Sequence, residues 1–99
     1  MDIDRELRLA TTTGKVIFGA DKTIKSVKIG KAKIAVISSS CSEEVKEDIQ
    51  HYASLSEIPV HAYDGDSSDL GIACGKPFLV SAMAVIELGN SSLLELGGS

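Results

Sequence analysis

The sequence predicts an α/β fold, a three-layer α/β/α sandwich with a four-stranded mixed sheet. Two observations predict it. Apolar periodicity alternates between helical and strand types along the 99 residues, in the order α-β-α-β-α-β-α-β. The run Ile34-Ala35-Val36-Ile37 is apolar throughout, as expected of a strand covered on both faces. Composition agrees: 43% hydrophobic and 24% charged residues make an ordinary globule, long enough to bury a core without a disulfide or metal staple. The length fits one domain, residues 1–99.

Each element has its own signal. Ile3, Leu7 and Ala10 recur at helical spacing, and Gly14 can end that helix. Val16-Ile17-Phe18 is a short strand closed by Gly19. A second helix over 20–29 turns Ala20, Ile24 and Val27 inward, and Lys22, Lys25 and Lys28 onto the opposite arc; Gly30 ends it. After Ile34-Ala35-Val36-Ile37 comes a polar loop, 38–42, in which Ser40 or Ser42 can cap the next helix. Glu43, Glu44, Glu47 and Asp48 crowd its start, where the helix dipole favours negative charge. That helix is expected to reach Leu55, with Val45, Ile49, Tyr52 and Ala53 facing the sheet. Pro59-Val60-His61 reads as an edge strand, because proline cannot donate to a central ladder. Asp64-Gly65-Asp66 is a turn, and Ser67 can cap a short helix over 69–74 that Gly75-Lys76-Pro77 breaks. Residues 78–86 read as the last long strand, and the tail Gly97-Gly98-Ser99 as frayed.

Several function classes are disfavoured. No apolar run approaches the ~20 residues of a membrane helix, and the charged start Met1-Asp2-Ile3-Asp4-Arg5 is not a secretory signal. Cys41 and Cys74 read as reduced, mostly buried thiols, and no CxxC pair or His/Cys cluster suggests zinc. His51 and His61 are isolated, and Asp64, Asp66 and Asp69 lack the flanks of a calcium loop. No cofactor, metal or small-molecule substrate is expected.

Net charge is −4, which argues against a nucleic-acid partner until its distribution is considered. Residues 15–33 hold Lys15, Lys22, Lys25, Lys28, Lys31 and Lys33 against Asp21 alone, a net +5; the other four basic and thirteen acidic residues give −9. A phosphate backbone responds to the local field, not to the total. A solvated lysine face explains the same pattern.

Three segments could carry chemistry. In Gly19-Ala20-Asp21-Lys22, a strand turns on glycine into a helix whose free N–H groups suit an anion, though the Walker spacing is absent. Cys41-Ser42 at a helix start is the best enzymatic alternative, a thiol or phosphocarrier site, but no arginine or placed histidine supports it. Gly75-Lys76-Pro77-Phe78-Leu79-Val80 sets an aromatic and aliphatic pair beside a lysine, which suits an unstacked RNA base. The plain alternative is that Phe78 and Leu79 begin the core of a strand.

Several stretches together resemble one family. They are Thr13-Gly14-Lys15-Val16 with Gly19, then Ile24-Lys25-Ser26-Val27-Lys28 with Gly30-Lys31-Ala32-Lys33. Tyr52-Ala53-Ser54-Leu55-Ser56-Glu57-Ile58-Pro59-Val60 and Leu70-Gly71 with Cys74-Gly75-Lys76-Pro77-Phe78 complete them. In order and spacing the chain resembles the L-thirty-e family of archaeal and eukaryotic large-subunit ribosomal proteins. That family sits within the kink-turn-binding superfamily that includes ribosomal protein L-seven-Ae. The resemblance implies an α/β/α sandwich and a non-enzymatic protein, cytoplasmic and ribosome-bound, monomeric when free. Its implied partners are a kink-turn in large-subunit ribosomal RNA and neighbouring ribosomal proteins, with no membrane. It also implies contacts at the start of the second helix and in the loop before the last strand: Gly19, Ala20, Asp21, Lys22, Lys25 and Lys28, then Lys76, Phe78, Leu79 and Val80. Asp21 departs from the basic or amide residue usual there and would repel phosphate, and Asp69 stands where glutamate is usual. A kink-turn module of a non-ribosomal particle, or a translational regulator, is the alternative within the same chemistry.

Overall fold

In the computed structural model, which describes residues 2–97, the first helix begins where Asp2 caps it, its carboxylate accepting the Arg5 N–H. That helix, α1 (Ile3–Thr13), buries Leu7 and Ala10 and ends at Gly14, as its spacing predicts. Strand β1 (Lys15–Phe18) follows, then Gly19 and helix α2 (Ala20–Lys28). Strand β2 (Ile34–Ile37) is buried at every position. Helix α3 (Glu43–Leu55) is capped by Ser42, whose hydroxyl accepts the Val45 N–H, and acidic Glu43 and Glu44 open it. Strand β3 (Val60–Ala62), helix α4 (Ser67–Ala73), strand β4 (Ala82–Glu87) and a single-turn α5 (Leu94–Gly97) complete the order.

The sheet order is β1-β4-β2-β3, with β4 antiparallel to both β1 and β2, and β2 parallel to β3. The sheet is therefore mixed, and Pro59 precedes an edge strand as expected. Period-two alternation along β2 divides the core. Ile34 and Val36 pack with Leu7, Ala10 and Leu70 under α1 and α4; Ala35 and Ile37 pack with Val27, Ile49 and Ala53 under α2 and α3. These are the three layers of the sandwich.

Three details differ from the sequence reading. The last strand begins at Ala82, not at residue 78, because the backbone at Lys76 and Val80 is bonded to α4. Lys76 N–H donates to Gly71 O at 2.9 Å, and Val80 N–H to Ser67 O at 3.0 Å. Helix α4 is capped by Asp66, not Ser67: the Asp66 carboxylate accepts from Asp69 N–H, and the Asp69 carboxylate from Asp66 N–H, a reciprocal box. Helix α5 is too short to show periodicity, yet Leu93 just before it is fully buried in the α1/α4 layer. Of the tail read as frayed, Gly97 ends α5, and Gly98 and Ser99 lie outside the described residues.

Helix α2 buries Thr23 and Ser26 beside Val27. Ser26 Oγ donates to Thr23 O, but Thr23 Oγ1 is buried without a partner. A buried, unpaired hydroxyl costs about 1–3 kcal/mol. Thr23→Val keeps the β-branch and removes the orphan atom, so it is expected to raise stability by about 1 kcal/mol in urea denaturation. A loss of stability would mean that the hydroxyl has a bonding partner in solution.

Candidate nucleic-acid interface

The two segments singled out by sequence meet at one edge of the sheet. Phe18 is paired with Met83, and Gly19 N–H donates to Ala82 O at 2.9 Å. The end of β1 and the start of β4 are thus neighbours, so the start of α2 lies beside the loop over residues 75–81. Gly19 is needed for the turn: its φ of +111° is a conformation that L side chains rarely adopt, and no atom stands within 4 Å of where a Cβ would be. Its backbone is therefore open to close approach. No side chain caps α2, so its first N–H groups are without a side-chain acceptor, the condition under which a helix start can take an anion.

The loop is held from below. Gly71 in α4 lies so close to the Phe78 carbonyl that a Cβ there would overlap the oxygen. Val80 is buried in the α1/α4 core. With that anchor Phe78 stands 49% exposed and Leu79 70% exposed, and Phe78 meets Phe18 edge-to-face at 5.6 Å between centroids. Lys76 Nζ lies 5.7 Å from the Phe18 ring. Ile72, on the outer face of α4, is 66% exposed and joins Phe78 and Leu79 in lining one shallow depression.

Gly19, Ala20, Asp21, Lys22, Lys76, Phe78 and Leu79 thus gather around one edge, with Asp21 and Lys22 exposed. Two residues depart from the expected pattern. Val80 contributes an anchor, not a surface. Lys28 lies about 120° around the helix from Lys22, by helical geometry, and its ammonium sits 4.8 Å from the Tyr52 ring on α3. It faces the α2/α3 side, whereas Lys22 and Lys25 border the β1 side. Sequence reasoning missed Phe18, which ties the loop to the helix start, and Gly71, which sets the loop height. The first was legible as an aromatic residue immediately before the turn glycine; the second needs the tertiary contact.

Cys41 does not have the surroundings of an activated thiol. It is buried, and burial pushes its pKa up more than Lys46 pulls it down. Cys74 is likewise raised by burial and lies 3.5 Å from Met83 Sδ. Both cysteines are free. Among the described residues no group of His, Cys, Asp and Glu could hold a metal ion, and no helix is long and apolar enough to cross a membrane.

The chain has clear likenesses among known proteins. A model of the ribosomal protein L7Ae/L30e/S12e/Gadd45 family matches residues 1–95. The large ribosomal subunit protein eL30 of Methanothermobacter thermautotrophicus is 51% identical over 98 residues, covering 99% of this chain and 100% of that one. The protein of the same name from Sulfurisphaera tokodaii is 49% identical, covering 93% and 87%. A solved structure of a Bacillus halodurans protein of unknown function superposes with a TM-score of 0.83 at 21% identity, covering 99% of this chain and 98% of that one; this likeness concerns the fold alone.

Proposed function

Because the chain belongs to the ribosomal protein L7Ae/L30e/S12e/Gadd45 family, we propose that it is a structural constituent of the large ribosomal subunit that binds a kink-turn in ribosomal RNA. The whole chain acts as one RNA-binding domain, cytoplasmic and monomeric until it joins the ribosome and its protein neighbours. It performs no catalysis; selective binding favours one bent RNA shape over the alternatives. The observation that supports this reading most is the Gly19–Ala82 hydrogen bond, which sets an open helix start beside an exposed aromatic loop. A kink-turn needs both chemistries. Lys22, Lys25 and the α2 N–H groups face phosphate, while Phe78 and Leu79 offer apolar surface to a base out of its stack.

The test is titration of a kink-turn RNA across a salt series. Affinity should fall linearly on a log–log plot, because each lysine at a phosphate releases counterions. Lys25→Glu, at an exposed position outside the core, should weaken binding by roughly tenfold or more and reduce the slope by about one, leaving the fold intact. Salt-independent affinity, or wild-type affinity in the variant, would remove this surface from the RNA site. Sedimentation of the chain with the large subunit tests the ribosomal assignment separately.

A further inference from the structure

A second surface adjoins the first along the β1 side of α2, where Lys22 and Lys25 border both. Lys15 and Ile17 of β1, Ile86 of β4, Lys22, Lys25, Ser26 and Ile29 along α2, and Lys31 together line a groove of about 420 Å³. Its apolar lining comes from three isoleucines, with Ile29 58% exposed. Four lysines rim it, no carboxylate lines it, and none of the four is ion-paired to a described residue. An apolar floor with an unneutralised cationic rim is complementary to apolar side chains flanked by carboxylates.

The groove opens beside a free sheet edge. β1 is terminal in the order β1-β4-β2-β3. The Gly19–Ala82 bond fixes the alternation: Gly19 and Ile17 turn their backbone groups toward β4, so Val16 and Phe18 turn N–H and C=O outward. An unpaired edge of this kind is a template for an added strand. We propose that this edge and groove dock an extended acidic segment of a protein partner, added as a strand along β1. On the face toward α2, the segment carries apolar side chains between two carboxylates. The apolar residues fill the groove over Ile17, Ile29 and Ile86, and the carboxylates meet Lys15, Lys22, Lys25 and Lys31. A protein strand fits better than RNA, since the floor is aliphatic and offers no flat aromatic face for a base. The groove residues that distinguish this surface, Lys15, Lys31 and Ile86, are outside the proposed kink-turn set, so the two readings fail separately.

The test uses the full-length chain, isotope-labelled for NMR, and a short capped peptide. The peptide has threonine at alternate positions and, between them, glutamate, leucine, leucine and glutamate. Saturable binding is expected, with the Val16 and Phe18 amides shifted and protected from hydrogen exchange. The same peptide with lysine in place of glutamate should not bind. Ile86→Glu and Lys15→Glu should each weaken the peptide by at least roughly tenfold while leaving kink-turn affinity within about twofold, a shift of only ~0.4 kcal/mol. Lys15 is exposed, so its variant carries the test if Ile86→Glu misfolds. Absence of saturation, equal binding of both peptides, or shifts that spare the Val16 and Phe18 amides would overturn the proposal. So would an equal loss of RNA affinity in both variants, which would give the groove to RNA.

Discussion

Gly71→Ala is expected to destabilise the chain by about 1–3 kcal/mol, the usual range for overpacking a tight core site, and to weaken kink-turn binding as well. Alanine is ordinarily the better helix former by about 1 kcal/mol, so local propensity predicts the opposite sign. The tertiary contact decides it. A Cβ on Gly71 would overlap the Phe78 carbonyl oxygen, and that atom is backbone, without a rotamer that could relieve the clash. Either α4 moves away from the loop or the loop rises from α4. In the second case the Lys76-to-Gly71 and Val80-to-Ser67 hydrogen bonds lengthen, and Phe78 leaves its place against Phe18. RNA affinity then loses some or all of the stacking contribution, about 1–3 kcal/mol per base. Urea denaturation of the free chain gives the first quantity, and RNA titration corrected for the folded fraction gives the second. A variant as stable as the parent would show that the helix and loop separate without cost, and Gly71 would then have no part in setting the loop.

The sequence was most informative where one local rule governs. The unbroken run Ile34-Ala35-Val36-Ile37 reads as a strand buried on both faces, and its alternate residues do feed two different cores. Of the two caps the sequence offers, Ser40 or Ser42, the structure uses Ser42, and the acidic turn after it opens α3 as expected. The lysine cluster was legible as a local field against a negative total, but not its division between two sides of α2. Spacing puts Lys22, Lys25 and Lys28 on a broad arc; only the packing of α2 between β1 and α3 sends Lys28 to Tyr52 and the others to the groove. The start of β4 was misread for a related reason. Residues 78–81 have strand-like side chains, while the Val80 N–H is bonded to Ser67 of α4, a partner that periodicity does not record. Val80 followed the same error: grouped with Phe78 and Leu79 as a surface, it is the residue that pins them from inside.

Phe78→Ala is expected to cost about 1–3 kcal/mol of RNA binding, a loss of roughly fivefold to 150-fold, and only about 1 kcal/mol of folding stability. The two readings of this residue differ in where the free energy goes. A phenylalanine in a core would lose about 3–5 kcal/mol of stability on truncation. Phe78 is 49% exposed, and its clearest packing partner is Phe18, met edge-to-face at 5.6 Å. An aromatic pair of that kind contributes about 0.5–1.5 kcal/mol beyond its area, and a ring half in water has only part of a core ring's area to lose, so the folding loss stays below a core value. Exposing half a ring to water is unfavourable in the free protein, and an RNA base laid on it removes that surface from solvent. Leu79→Ala serves as the internal comparison. Leu79 is 70% exposed, so its truncation should leave the denaturation midpoint almost unchanged and still lower RNA affinity, by less than the aromatic does. Denaturation of both free variants, run beside titration of the same preparations with kink-turn RNA, separates the outcomes. A large stability loss at Phe78 with unchanged affinity in the folded fraction would return the ring to the core, and the RNA site would then rest on Lys22, Lys25 and the open start of α2.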